Sequence, residues 1–151
     1  MTSRFLFALC LCVVAAACSA PEGPPLTISK VVVLEALPGT QMSVGYLTLE
    51  NNSDKSISID RVTSPQFASV EMHETVIEDD VARMASLTSL VVEPRSSVQF
   101  ETGGKHLMMS GPLNQIEAGL PVTIEIHYDA NGLLIVATTV SSRNDFLDSS
   151  R

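Results

Sequence analysis

Near its C-terminal end the chain reads "VTIEIHYDANGLLIVATTV", from Val122 to Val140. Apolar and polar residues alternate, β-branched residues dominate, and "DANG" interrupts the run. Alternation of period two is the mark of a strand with one buried face, and a short Asp/Asn/Gly interruption is the mark of a hairpin turn. The same texture recurs upstream in "ISKVVVLEAL", "MSVGYLTLE", "ISIDRV", "FASVEMHE", "VARMASL", "SLVVEP", "SVQFE" and "KHLMM". About nine short strands with turn signals between them, and no sustained helical period, predict an all-β antiparallel Greek-key β-sandwich. One domain over residues 27–141 accommodates them. A short helical turn is expected near Pro112 to Ala118, and residues 142–151 read as a flexible tail.

The chain opens with a targeting segment. Arg4 precedes the apolar run "FLFALCLCVVAAA" (Phe5 to Ala17), which has signal-peptide length and is short for a membrane-spanning helix. "AAAC" (Ala15 to Cys18) looks like a lipobox, with Ala15 where Leu is more usual. On that reading residues 1–17 are removed, Cys18 is lipidated, and 18–26, rich in Pro and small residues, form a tether. The alternative is ordinary signal-peptidase cleavage near Ala17 or Ala20. Both export the protein, and Ser19 after a lipidated Cys18 points toward the outer membrane of a Gram-negative host.

Cysteine usage narrows the chemistry. The three cysteines are Cys10, Cys12 and Cys18, all in the leader or at its end. The mature domain therefore has no disulfide, no redox pair and no internal thiolate ligand. A blue-copper electron-transfer site, which needs a thiolate, is excluded. Net charge of -8 argues against nucleic-acid binding and against docking on anionic lipid by charge. No nucleophile elbow, zinc-protease helix or Cys–His pair suggests an enzyme.

What remains is a set of soft donors. On a strand, His106 and Met108 share one face, roughly 7 Å apart along the backbone, while Met109 points the other way into the core. By the same parity Met72 faces the core and His73 does not. Met84 lies in "VARMASL", where a core role is the competing reading. His127 reads as a solvated sheet residue, and Met42 lacks a nameable partner. The run Glu78, Asp79, Asp80 reads as a solvated turn or as a surface that concentrates cations or meets a basic partner. Neutral thioethers and borderline imidazoles together favour Cu(I) over Zn, Ca or Mg.

His73, Met84, His106 and Met108, written H-x10-M-x21-H-x-M, match at every spacing the signature of the PCuAC family of periplasmic copper chaperones. "VEMHET", "GGKHLMMSG" and "VTIEIHY" are similar to that family's blocks, and the resemblance spans about Ile28 to Val140. It implies a cupredoxin-like sandwich with one exposed Cu(I) held by those four residues. It also implies delivery of copper to a haem–copper (cytochrome c) oxidase subunit or to a second copper carrier, at the periplasmic face of the envelope. Copper sequestration for tolerance, and a metal-free envelope interaction module, are the alternatives.

Overall fold

The computed structural model describes residues 23–149. The leader, Cys18 and the start of the tether lie outside the described residues. Ten strands and one helix follow in order: β1 (Leu26–Leu34), β2 (Met42–Asn51), β3 (Ile57–Thr63), β4 (Phe67–Glu78), β5 (Val81–Leu87), β6 (Leu90–Val92), β7 (Ser97–Phe100), β8 (Lys105–Pro112), β9 (Pro121–Tyr128), β10 (Gly132–Ser141) and α1 (Arg143–Ser149). The hydrogen-bonded order is β5-β4-β8-β7-β2-β1-β10-β9-β3-β6, with β8 also pairing β2. Most pairings are antiparallel. The exceptions are β1 with β10, which joins the two halves of the sandwich, and the short β7–β8 contact.

Period-two alternation decides which residues fill the space between the layers. Leu47 and Leu49 of β2, Leu107 and Met109 of β8, and Val122, Ile124 and Ile126 of β9 belong to one buried cluster. Each such side chain contributes about 1.5–3 kcal/mol when fully removed from water. Met72 joins this core and Met109 is fully enclosed, as strand parity predicts. Buried Asn51 is satisfied, its amide donating to the carbonyls of Lys55, Val92 and Glu93.

The β4–β5 hairpin turns on Asp79 and Asp80, with φ of 51° and 61°. Positive φ at both central residues is the geometry whose twist suits two flanking strands, and Asp tolerates it. β5 is the edge strand, and six of its seven residues are exposed. The outer half of this hairpin therefore projects beyond the core.

Two expectations fail. After β8 ends at Pro112 the chain bends at 113–114 and runs irregularly to a tight turn at 118–119, with no helical turn over 112–118, because the Leu113 amide donates across to the Gln66 carbonyl instead of along its own segment. The expected flexible tail at 142–151 instead contains α1. Ser142 starts it, its hydroxyl accepting from the Asn144 amide at 3.2 Å. Phe146 then stacks on Tyr46 with ring centroids 5.4 Å apart, a tertiary contact that the local sequence does not announce.

Candidate metal centre

The register of three adjacent strands assembles the site. His73 of β4 lies directly opposite His106 of β8, and Glu71 lies opposite Met108. On the other side of β4, Thr75 lies opposite Met84 of β5. Residues 71, 73 and 75 share a face, and paired residues point the same way. All four sequence-derived candidates therefore lie on one outer face, with the histidine pair central and a methionine on either side along the strand direction.

Each imidazole is held by its second nitrogen. The His106 Nδ1–H donates to the Gly104 carbonyl at 3.1 Å, leaving the Nε2 lone pair available. Gly103, at φ +80°, makes the turn that aims this carbonyl back at the ring, and the Thr75 amide donates to the same oxygen. The His73 Nε2–H donates to Glu71 Oε2 at 3.0 Å, leaving Nδ1 as the lone pair. That Nδ1 is buried and has no hydrogen-bond partner. An acceptor taken out of water without a donor is costly, and a soft cation is one species that would relieve it. The ring centroids are 6.0 Å apart. The hydrogen bond to His73 holds the Glu71 carboxyl below the usual carboxylate range.

The four donors are not equally poised. His106 is buried, the His73 side chain is 14% exposed, and Met84 is 61% exposed. With strands ~4.8 Å apart and ~3.3 Å per residue, the Cα of Met108 is ~7 Å from that of His106, while Met84 is ~8 Å from His73 and ~12 Å from His106. Met84 is thus the outlying donor, on the strand with the least packing. Among the described residues no group of three or more His, Cys, Asp or Glu side chains is arranged to hold a metal. An ion bound here would depend on thioethers.

Two neighbours of the set carry no signal of their own as ligands. Glu71 could have been found from its place two residues before His73, on the same strand face. The Gly104 carbonyl could not, since a backbone acceptor has no residue signature. Tyr46, one residue beyond the Gly45–Leu107 pair on β2, continues the row of His73 and His106 across the sheet. His127 is outside this set and shares a hydrogen bond with Thr63 Oγ1 at 3.0 Å. Met42 pairs with Ser110, away from the histidines. The Lys105 ammonium is engaged by Glu74 at 2.6 Å.

The fold and the donor face define a cupredoxin-like β-sandwich of PCuAC type. The chain belongs to the family described as "Putative lipoprotein LpqE-like", whose model matches residues 26–140. The Cu(I)-loaded solution structure of DR1885 from Deinococcus radiodurans is 25% identical, covers 85% of this chain and 86% of its own, and gives a TM-score of 0.65. The copper-bound PCuAC domain from PmoF2 is 18% identical, covers 79% and 94%, and also gives 0.65, a likeness of fold. An uncharacterized protein of Rickettsia prowazekii (strain Madrid E) is 27% identical over 105 residues, 69% of this chain, which spans 58% of that protein's length. A protein named "Putative lipoprotein" from Leifsonia xyli subsp. xyli is 25% identical over 114 residues, covering 75% and 68%.

Proposed function

We propose that this protein is an extracytoplasmic Cu(I) metallochaperone that holds one ion through His73, Met84, His106 and Met108. The observation that carries the reading is the facing histidine pair, its rings fixed by Glu71 and the Gly104 carbonyl, with a bare His73 Nδ1 and a thioether on either side. The copper-bound relatives of the same fold support it. Soft neutral sulfur favours Cu(I) over Cu(II), and the absence of thiolate in the domain keeps the site free of disulfide chemistry.

Transfer follows from where the donors sit. An acceptor protein's ligands can approach the exposed face and replace the site's own one at a time, with Met84 the first to leave. No unfolding is needed. Imidazoles must be deprotonated to bind and thioethers do not titrate, so affinity falls in acid only through the histidines. Lipidation at Cys18 after removal of residues 1–17 would hold the domain at the envelope, a placement that the family's lipoprotein description supports. The recipient we propose is the copper centre of a haem–copper oxidase, reached directly or through a second carrier.

The test is an anaerobic Cu(I) titration of residues 19–151 against a coloured competing chelator, beside the Met84→Leu, Met108→Leu double variant. One tight equivalent in the parent, much weakened in the variant, is the expected result. Binding indifferent to both methionines would refute it. Growth on limiting copper, compared with growth on toxic copper, then separates delivery from sequestration.

A further inference from the structure

The strand order conceals an open edge. β10 stands between β1 and β9, yet its pairing with the two is unequal. With β9 it pairs without interruption over residues 132–139. With β1 it pairs only at Val140 and Ser141. Just before those partners β1 is irregular: Lys30 has φ of 52°, and the pairing with β2 shifts between Ser29 and Val32. Strand geometry fixes which backbone groups of β10 face the side that β1 leaves. The Val140 amide donates to the Leu120 carbonyl on the β9 side, while the Ser141 carbonyl accepts from the Glu35 amide on the β1 side. Successive residues alternate in this direction. The N–H and C=O groups of Leu133, Ile135 and Ala137 therefore point to the open side, and none has a hydrogen-bond partner among the described residues.

An unpaired edge is a template for another strand, and folded chains blunt such edges with charge, proline or shortness. The two terminal strands of the order follow that rule. β6 has only three residues, with Glu93 and Pro94 directly after it. β5 carries Arg83 and adjoins the acidic turn at Glu78, Asp79 and Asp80. β10 does not follow it. "GLLIVATTVS" (Gly132 to Ser141) has no charge and no proline, and it is rich in the β-branched residues that favour strands. Leu133 and Ile135 are about half-exposed on its outer face.

We propose that β10 is a dimerisation edge, pairing antiparallel with β10 of a second copy about a two-fold axis at Ile135. The second copy fits because this strand complements itself. Ile135 then faces Ile135 and Leu133 faces Ala137, so each of the three residues gains one donor and one acceptor. Apolar side chains meet across the axis and no like charges do, which is what a partner strand here must provide. The chain's own tether cannot supply it: "SAPEGPP" (Ser19 to Pro25) contains three prolines, which have no N–H to donate. Contact along one strand is small, so the association is reversible. The proposed copper ligands lie on β4, β5 and β8, in the other half of the strand order, and the pairing does not use them.

The experiment is sedimentation of residues 19–151, which contain every described element, over a concentration series at about 0.15 M salt, which screens the chain's negative charge. The parent should pass reversibly from monomer to dimer. Ile135→Lys and Ile135→Glu each set like charges face to face across the axis and should weaken the dimer by roughly tenfold or more. An equimolar mixture of the two variants should recover it, because opposite charges then meet. Hydrogen exchange of the parent gives a second reading that needs no variant. The amides of Leu133, Ile135 and Ala137 should exchange more slowly as concentration rises, while those on the β5 edge should not change. A chain that stays monomeric up to about 1 mM, a dimer that both variants leave intact, a mixture that does not reassociate, or a dimer without protection at the three β10 amides would each overturn the proposal.

Discussion

If the four donors bind one Cu(I), they should not lose equally when removed. Met84 is 61% exposed on an edge strand that little packs against, while Met108 is partly covered between β4 and β2. To reach an ion near the histidine pair, Met84 must give up nearly all its side-chain freedom, and the β4–β5 hairpin must curl inward. Freezing a methionine side chain costs up to about 1.5–2 kcal/mol, a cost Met108 has partly met in the folded state. That difference offsets the gain from the Met84 sulfur by up to a factor of about ten to thirty in affinity. Met108→Leu should therefore weaken Cu(I) binding about tenfold more than Met84→Leu does. The assay is anaerobic competition against a Cu(I) chelator at fixed pH, with each single variant shown to keep the parent's unfolding midpoint. Nuclear magnetic resonance of the methionine methyl groups gives a second readout: the Met84 signal should be narrow without copper and broaden or shift most when it binds. An equal or larger loss for Met84→Leu would show that the hairpin is already closed in solution, and the ordering argument would be wrong.

Glu71 is not among the proposed ligands, yet it fixes the His73 tautomer through a 3.0 Å hydrogen bond. Glu71→Leu should lower Cu(I) affinity by about tenfold, the low end for an outer partner of a ligating histidine because the carboxylate is exposed; unchanged affinity would mean that His73 needs no orienting. The Asp54 carboxyl is held below its usual range by its hydrogen bond to Arg95 and by that residue's charge. A lowered folded-state value means that the pair stabilises the fold above about pH 4 and that this contribution fades as pH falls through the folded value. Parent and Asp54→Asn stabilities, measured by denaturant unfolding from pH 7 down to pH 2, should therefore converge at the acid end, and a gap that widened there would refute the assignment.

The inward faces were legible because a strand leaves no freedom in parity: once "KHLMM" is extended, Leu107 and Met109 must oppose His106 and Met108, and burial against water chooses which pair goes inside. The same rule separated Met72 from His73 on β4. Hairpin turns were legible from their Asp, Asn and Gly residues, as at Asp79–Asp80 and in "DANG", although the second positive φ of the latter falls on Ala130. The helix at Arg143–Ser149 was not, because seven residues cannot sustain a helix by their own propensity. Tyr46, nearly a hundred positions earlier, supplies the contact that holds it.

Sequence alone determined the chemistry on offer: no cysteine after Cys18, two imidazoles and two thioethers at fixed intervals, and strand periodicity over most of the domain. Those follow from residue identity and local periodicity. Tertiary structure decided what those residues can do together. Pairing register placed His73 opposite His106, the Gly104 carbonyl and Glu71 chose which nitrogen of each ring stays free, and the edge position of β5 left Met84 outlying. Each of these depends on contacts between segments far apart along the chain, and a spacing in sequence sets a distance only within one strand.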